Sequence, residues 1–123
     1  MQTNDNKNVV ALYMRSAQKD EQSKESENIE AQRETLVTYA NENDFIIFDE
    51  YVDDGWSGTN FERPDFKRML QDIENNHINI VITKDLSCLG RDTAIVKQYI
   101  EDYFPSKGVR FIAVNDGHDS NAE

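Results

Sequence analysis

Residues 78–83 read Ile-Asn-Ile-Val-Ile-Thr, an apolar run rich in β-branched side chains. Three other runs have the same strand character, namely Val9–Met14, Phe45–Phe48 and Val109–Val114. All four runs are continuous rather than alternating, which is typical of strands that are covered on both faces of a parallel sheet. The runs therefore predict four buried strands.

Helical patterns occupy the stretches between these strands. The first helix is predicted to run from an N-cap at Ser26 to about Asn43, and the second to begin at Pro64, a favoured first-turn residue. The third is predicted from about Thr93 to Phe104, with apolar side chains three and four positions apart. Alternating strands and helices predict right-handed crossovers, and hence an α/β fold with a mainly parallel sheet and helices on both faces.

The end of the chain is different in character. The stretch from Asn115 to Glu123 is polar and is predicted to be a loop. Both histidines, His77 and His118, are expected in surface loops. Neither has a histidine or cysteine partner at a zinc-binding spacing, so no metal site is predicted.

Composition limits the function classes. The 123 residues allow one compact domain, with 24 acidic against 13 basic residues and a formal charge of −11. Stand-alone DNA-binding modules are basic, so any contact with nucleic acid must come from a local cationic pocket or from parts of a longer protein. The single cysteine, Cys88, excludes an intrachain disulfide and favours a reducing cytoplasm. The apolar runs are too short for a membrane span.

Arginine and hydroxyl side chains follow three of the predicted strands. Ligands of open α/β sheets bind at the carboxyl ends of the strands, so Arg15, Arg63 and Arg91 are expected to converge in one crevice. Guanidinium groups match phosphate oxygens, and with a nearby hydroxyl they predict metal-free phosphoryl transfer. The alternative is that each arginine pairs with a local carboxylate such as Asp54 or Asp92.

Three motifs at these strand ends carry a family resemblance. They are Tyr-x-Arg at 13–15, Asp-Gly-Trp-Ser-Gly-Thr-Asn-Phe-Glu-Arg-Pro at 54–64, and Lys-Asp-Leu-Ser-x-Leu-Gly-Arg at 84–91. The chain resembles the catalytic domain of serine site-specific recombinases, above all the large serine recombinases of conjugative transposons and phages. The resemblance implies a three-layer, resolvase-like catalytic domain over residues 1–123, with a dimerisation helix and a DNA-binding region expected outside this chain.

The resemblance also implies a reaction and partners. In this family a serine hydroxyl cleaves DNA through a 5′-phosphoseryl intermediate, and strands are exchanged within a tetramer without metal or other cofactor. The implied partners are DNA and further copies of the chain, in the cytoplasm and without a membrane. Because the chain is acidic, these residues alone are expected to bind duplex DNA weakly.

The resemblance assigns roles to three groups of side chains. The phosphate-binding arginines are Arg15, Arg63 and Arg91; the supporting polar residues are Gln32, Asp54 and Ser57; the positions expected to contact substrate are Tyr13 and Ser87.

Two positions depart from the family pattern. Ala17 occupies the position of the nucleophilic serine, and Cys88 occupies the position of an arginine. Ser16 is the candidate replacement nucleophile, although strand alternation would turn it away unless the loop adjusts. Cys88 is interpreted as a neutral replacement, the alternative being a nucleophilic thiol whose pKa is lowered by Arg91.

Two other functions remain open. The replacements at Ala17 and Cys88 favour a catalytically silenced relative that assembles with, or regulates, an active recombinase. A phospho-acceptor signalling domain would use the acidic pair Asp53-Asp54 and Lys84. That class places its acidic pair after the first strand, whereas here the pair follows the second, and it leaves the arginines unexplained.

Overall fold

The computed structural model describes residues 8–16, 29–55 and 62–120. Within them the elements are β1 (Val9–Arg15), α1 (Ile29–Glu42), β2 (Ile46–Asp53), α2 (Pro64–Glu74), β3 (Ile80–Thr83), α3 (Leu86–Leu89), α4 (Thr93–Gln98), a π-helical segment (Tyr99–Tyr103), α5 (Phe104–Ser106), β4 (Arg110–Ala113) and β5 (His118–Asp119). No helix of these described residues is long and apolar enough to cross a membrane.

The strands form one sheet in the order β2-β1-β3-β4-β5. The first three pairings are parallel, and β5 runs antiparallel to β4. This arrangement confirms the α/β fold with a mainly parallel sheet. It also places the carboxyl ends of β1, β2 and β3 at the same edge of the sheet, where the motifs follow.

Helices cover both faces of the sheet, as the continuous apolar runs predict, but the prediction of a fully buried strand is wrong for β2, where Ile46 and Phe48 stay exposed. Successive side chains of β1 point to opposite faces. Leu12 belongs to the cluster that includes Leu36 of α1, whereas Tyr13 belongs to the cluster that includes Phe66 of α2 and Phe104 of α5. The sheet therefore separates α1 from the other helices, which confirms the three layers.

Two element boundaries differ from the predictions. β2 extends to Asp53, well beyond the predicted end at Phe48, because it is an edge strand in which Asp49 and Glu50 stay partly exposed. The third predicted helix changes to π-helical geometry at Tyr99 and continues to Ser106. Pro105 lies in the first turn of α5, where its missing N–H is not needed. The predicted N-cap Ser26 lies outside the described residues.

The prediction of a loop from Asn115 onward is wrong in part, because β5 lies within it. Gly117, with φ of +64°, allows the turn between β4 and β5. The guanidinium of Arg110 then binds Asp119 at 2.7 Å, and the backbone N–H of Ser120 donates to the carbonyl of Phe111. A two-residue strand is too short to give a periodic signal.

The histidine predictions have different outcomes. His77 is exposed in the turn after α2, as expected, and its ring stacks on Phe48. The prediction that His118 lies in a surface loop is wrong. His118 belongs to β5, is half-buried, and its ring lies 5.8 Å from that of Phe111.

Candidate active site

Arg15 ends β1, and Gln32 of α1 fixes its backbone. The side-chain Nε2 of Gln32 donates to the carbonyl of Arg15 at 3.0 Å, and the N–H of Arg15 donates to Oε1 of Gln32 at 3.2 Å. Gln32 is buried, so this exchange satisfies polar groups that would otherwise lose hydrogen bonds to water. The guanidinium of Arg15, also buried, donates from Nη2 to the carbonyl of Ser87 at 2.8 Å.

Ser16 turns its hydroxyl toward the loop that follows β2. Because β1 ends at Arg15, strand alternation no longer fixes the direction of the next side chain. The hydroxyl of Ser16 donates to the carboxylate of Asp54 and accepts from the N–H of Gly55 at 2.8 Å. Gly55 has φ of +82°, a conformation that favours glycine at this turn. The structure therefore places Ser16 against a carboxylate that can accept its proton.

Arg63 lies in the interior, with its side chain fully buried. Its Nη1 donates to the hydroxyl of Tyr13 at 2.9 Å, and its Nη2 donates to the carbonyl of Leu89 at 2.6 Å. A longer contact of 3.4 Å joins Nη1 to the carbonyl of Cys88. Its role as a phosphate ligand stays a prediction.

Asp53 connects Tyr13 to α2, a role that the sequence analysis missed. The hydroxyl of Tyr13 donates to Asp53 at 2.8 Å, and the N–H groups of Asp65 and Phe66 donate to the same carboxylate. Burial raises the pKa of Tyr13, and the charge of Arg63 opposes that rise. No local sequence pattern pointed to this role, because Asp53 lies well before Pro64 in the chain and reaches the N-terminus of α2 only in the folded structure.

The acidic pair Asp53-Asp54 therefore has divided roles. Asp53 binds the N-terminus of α2, whereas Asp54 binds Ser16. Among the described residues no group of acidic, histidine or cysteine side chains is arranged to hold a metal ion. The signalling alternative thus gains no support from the described carboxylates.

A short helix, α3, presents carbonyls to both buried arginines. Asp85 caps this helix: its carboxylate accepts from the hydroxyl of Ser87 at 2.6 Å, from the N–H of Cys88 at 3.2 Å and from Nζ of Lys84 at 2.6 Å. Burial raises the pKa of Asp85, but these hydrogen bonds outweigh it, and the pKa lies below its usual range. An aspartate three residues before Cys88 was the missed signal for this cap.

Cys88 is buried on α3, with its sulfur 3.5 Å from Oε1 of Gln32. Burial raises the pKa of the thiol to about 11, and the charge of Asp85 adds to the rise. This direction speaks against a thiol activated by Arg91. The interpretation of Cys88 as a neutral residue stays a prediction.

Arg91 is exposed in the turn after α3 and makes no hydrogen bond or ion pair with another described residue. The carboxylate of Asp92 instead caps α4, accepting from the N–H groups of Ala94 and Ile95. Pairing of Arg91 with this local carboxylate is thus not observed.

The structure brings six of the predicted site residues together around the ends of β1 and β2 and around α3. They are Arg15, Ser16, Gln32, Asp54, Arg63 and Ser87. Ala17 and Ser57 lie outside the described residues.

Comparisons with protein-family models, known sequences and solved structures all point to the same protein family. The family model described as "Resolvase, N terminal domain" matches residues 10–123. The chain is 28% identical over 115 residues to a putative DNA recombinase of Bacillus subtilis (strain 168). That match covers 94% of this chain but only 22% of the length of the Bacillus protein.

Two solved structures have a fold that superposes closely on the fold of this chain. The N-terminal catalytic domain of TP901-1 integrase superposes with a TM-score of 0.83 and 29% identity, over 93% of this chain and 82% of that one. A resolvase family site-specific recombinase from Streptococcus pneumoniae gives a TM-score of 0.75 and 30% identity, over 95% of this chain and 78% of that one.

Proposed function

The chain belongs to the resolvase N-terminal domain family, and from this premise we propose that it is a DNA-cleaving domain for site-specific recombination in which Ser16 is the nucleophile. The observation that carries the proposal is the hydrogen bond from the Ser16 hydroxyl to Asp54. A nucleophile within hydrogen-bond reach of a base is the arrangement that covalent catalysis needs. DNA and further copies of the chain are the proposed partners, in the cytoplasm.

The proposed step is a transesterification at a DNA phosphodiester. Oγ of Ser16 forms a bond to phosphorus while its proton passes to Asp54. The bond from phosphorus to the 3′ oxygen breaks, and this oxygen takes up a proton from water to leave as a 3′-hydroxyl. The product is a 5′-phosphoseryl ester, from which a 3′-hydroxyl of the exchanged strand releases Ser16. Each step replaces one phosphoester bond by another, so the reaction needs no external energy source.

Arg15 and Arg91 supply the positive charge that this step requires. Arg15 immediately precedes the nucleophile, and to bind the phosphate its guanidinium exchanges its hydrogen bond to the carbonyl of Ser87 for one to a phosphate oxygen. Arg91 offers a guanidinium that is not engaged by another described residue. Charge develops on the phosphate oxygens in the transition state, and guanidinium groups stabilise it. Gln32 holds the backbone of Arg15, so its part is to position the arginine.

A second candidate function is that of a silenced relative, which assembles without cutting DNA. Two observations favour it. Arg63 is fully buried and donates to Tyr13 and to a carbonyl. The buried thiol of Cys88 stands where the family has an arginine and adds no positive charge.

A recombination reporter separates the two candidates. It carries the native recombination sites of the full-length protein that contains this domain, in which all variants are made, and detergent-stable protein–DNA adducts are scored in parallel. We expect the natural protein to recombine and Ser16→Ala to abolish both readouts. Ser106→Ala is the matched control, because that hydroxyl bonds only to the backbone of Tyr103 among the described residues and lies outside the site. Recombination by Ala17→Ser/Cys88→Arg alone establishes the silenced relative.

A further inference from the structure

A groove of about 590 Å³ opens between α3, α4, the π-helical segment and β5. Its apolar wall is formed by Leu86, Val96 and Ile100, and its polar lining includes Arg91, Lys97 and His118. We call it the α4 groove. Its volume lies within the range of small-molecule sites, which are mainly apolar with a few polar groups.

The cations of the groove differ from the other described cations. Most arginines and lysines that the structure describes form ion pairs: Arg33, Lys67, Arg68, Lys84, Lys107 and Arg110. Arg15 and Arg63 donate to backbone carbonyls. Arg91 and Lys97 make neither kind of contact with another described residue, and both line the α4 groove. In a chain of charge −11, this combination marks a place for an anion.

His118 adds an unsatisfied polar atom to the same groove. Its Nε2 is buried and has no hydrogen-bond partner among the residues that the structure describes. A buried polar atom without a partner costs free energy, and a bound acceptor would remove that cost. The π-helical geometry of Tyr99–Tyr103 along the groove is a second feature that recurs at binding sites.

The charge balance restricts the ligand further. Glu101 also lines the α4 groove and opposes a second negative charge. We propose that the groove binds a monoanionic organic carboxylate with an apolar body. The apolar body packs on Leu86, Val96 and Ile100, while the carboxylate pairs with Arg91 and Lys97. A turn of the His118 ring toward the groove brings its buried Nε2 within reach of the same carboxylate. The groove shares Arg91 with the proposed cleavage site. Binding of a carboxylate is measured without DNA, so failure of this proposal and failure of the proposed function are distinguishable.

Titration of the ¹⁵N-labelled chain with octanoate tests the proposal by NMR. We expect octanoate to shift the amide signals of residues 96–100 and of His118. The neutral analogue 1-octanol and inorganic phosphate each lack one half of the ligand, so both should bind far more weakly. Equal binding of either compound, or octanoate shifts that avoid these amides, overturns the proposal.

Variants identify the groups that bind the carboxylate. Lys97→Gln should weaken octanoate binding about tenfold, as expected for loss of a charge-assisted contact. The matched control is Lys107→Gln, since Lys107 pairs with Glu74 and does not line the groove. His118→Phe keeps the ring and should also weaken binding without lowering the melting temperature. Equal affinities for Lys97→Gln and Lys107→Gln contradict the assigned site.

Discussion

The guanidinium of Arg63 and the hydroxyl of Tyr13 meet at 2.9 Å in the interior, where both side chains are fully buried. Tyr13 in turn donates to Asp53, whose carboxylate binds the N-terminus of α2. The guanidinium also lies over the ring of Phe66, with 4.8 Å between its central carbon and the ring centroid. One arginine thus joins β1, α2 and α3.

Replacement of Arg63 should first affect stability. Arg63→Lys keeps the charge but loses the planar fork that reaches both Tyr13 and the carbonyl of Leu89. We expect the free energy of unfolding to fall by about 3 kcal/mol, because buried partners lose their hydrogen bonds. Urea unfolding followed by circular dichroism measures this change. Arg91→Lys, at an exposed position, is the control and should leave it nearly unchanged; equal effects of the two variants contradict the structural role.

Replacement of Asp54 should affect catalysis rather than stability. Asp54 is exposed, and its described partner is the hydroxyl of Ser16. Asp54→Asn removes the proposed proton acceptor, so adduct formation should slow by about 10²-fold or more. Asp44→Asn, another exposed aspartate with φ of +60°, is the control because asparagine tolerates this conformation. Unaltered adduct formation in Asp54→Asn refutes its role as the base.

The fold was predictable because its signals are long and repeated. Each of the four runs is mainly apolar, with Asn79 and Arg110 among the exceptions, and amphipathic segments separate the runs. Such patterns specify burial on both faces and the crossovers between parallel strands. The elements that were missed, α3 and β5, span four and two residues. Local hydrogen bonds of Asp85 hold α3, and the pairing with β4 and the contacts of Asp119 hold β5; such contacts leave no periodic pattern.

The sequence predicts where the residues of the candidate site lie, but it does not predict which way their side chains point. The motifs located Arg15, Asp54 and Arg63 at neighbouring strand ends. Whether a guanidinium points into solvent or onto a carbonyl depends on the path of α3, which the sequence pattern does not reveal. Likewise, the hydroxyl of Ser16 reaches Asp54 because β1 ends one residue earlier.

Asp85 should make stability depend on acidic pH. Its pKa in the folded chain is lowered, since the hydrogen bonds from Lys84 and Ser87 outweigh the opposing effect of burial. An aspartate with a lowered folded pKa stabilises the fold above its unfolded pKa of about 3.9, and this contribution disappears as pH falls through the folded value. Asp85→Asn should therefore lose about 1–2 kcal/mol at pH 7. Urea titrations at pH 7 and pH 3 should show the difference from wild type shrinking; parallel pH profiles contradict this.

Cys88 should resist alkylation in the folded chain. Burial raises the pKa of its thiol from 9.0 to about 11, which lowers the thiolate fraction about a hundredfold near neutral pH. The chain has a single cysteine, so the mass gained from iodoacetamide reports this thiol alone. We expect slow modification at pH 8 in buffer and rapid modification in denaturing urea. The comparison variant is Gln32→Ala, which removes the buried oxygen 3.5 Å from the sulfur and opens space beside it, so its thiol should be alkylated faster than that of the wild type. Modification of the native chain as fast as in urea would show that the thiol is neither buried nor protonated, and would remove the argument for Cys88 as a neutral residue.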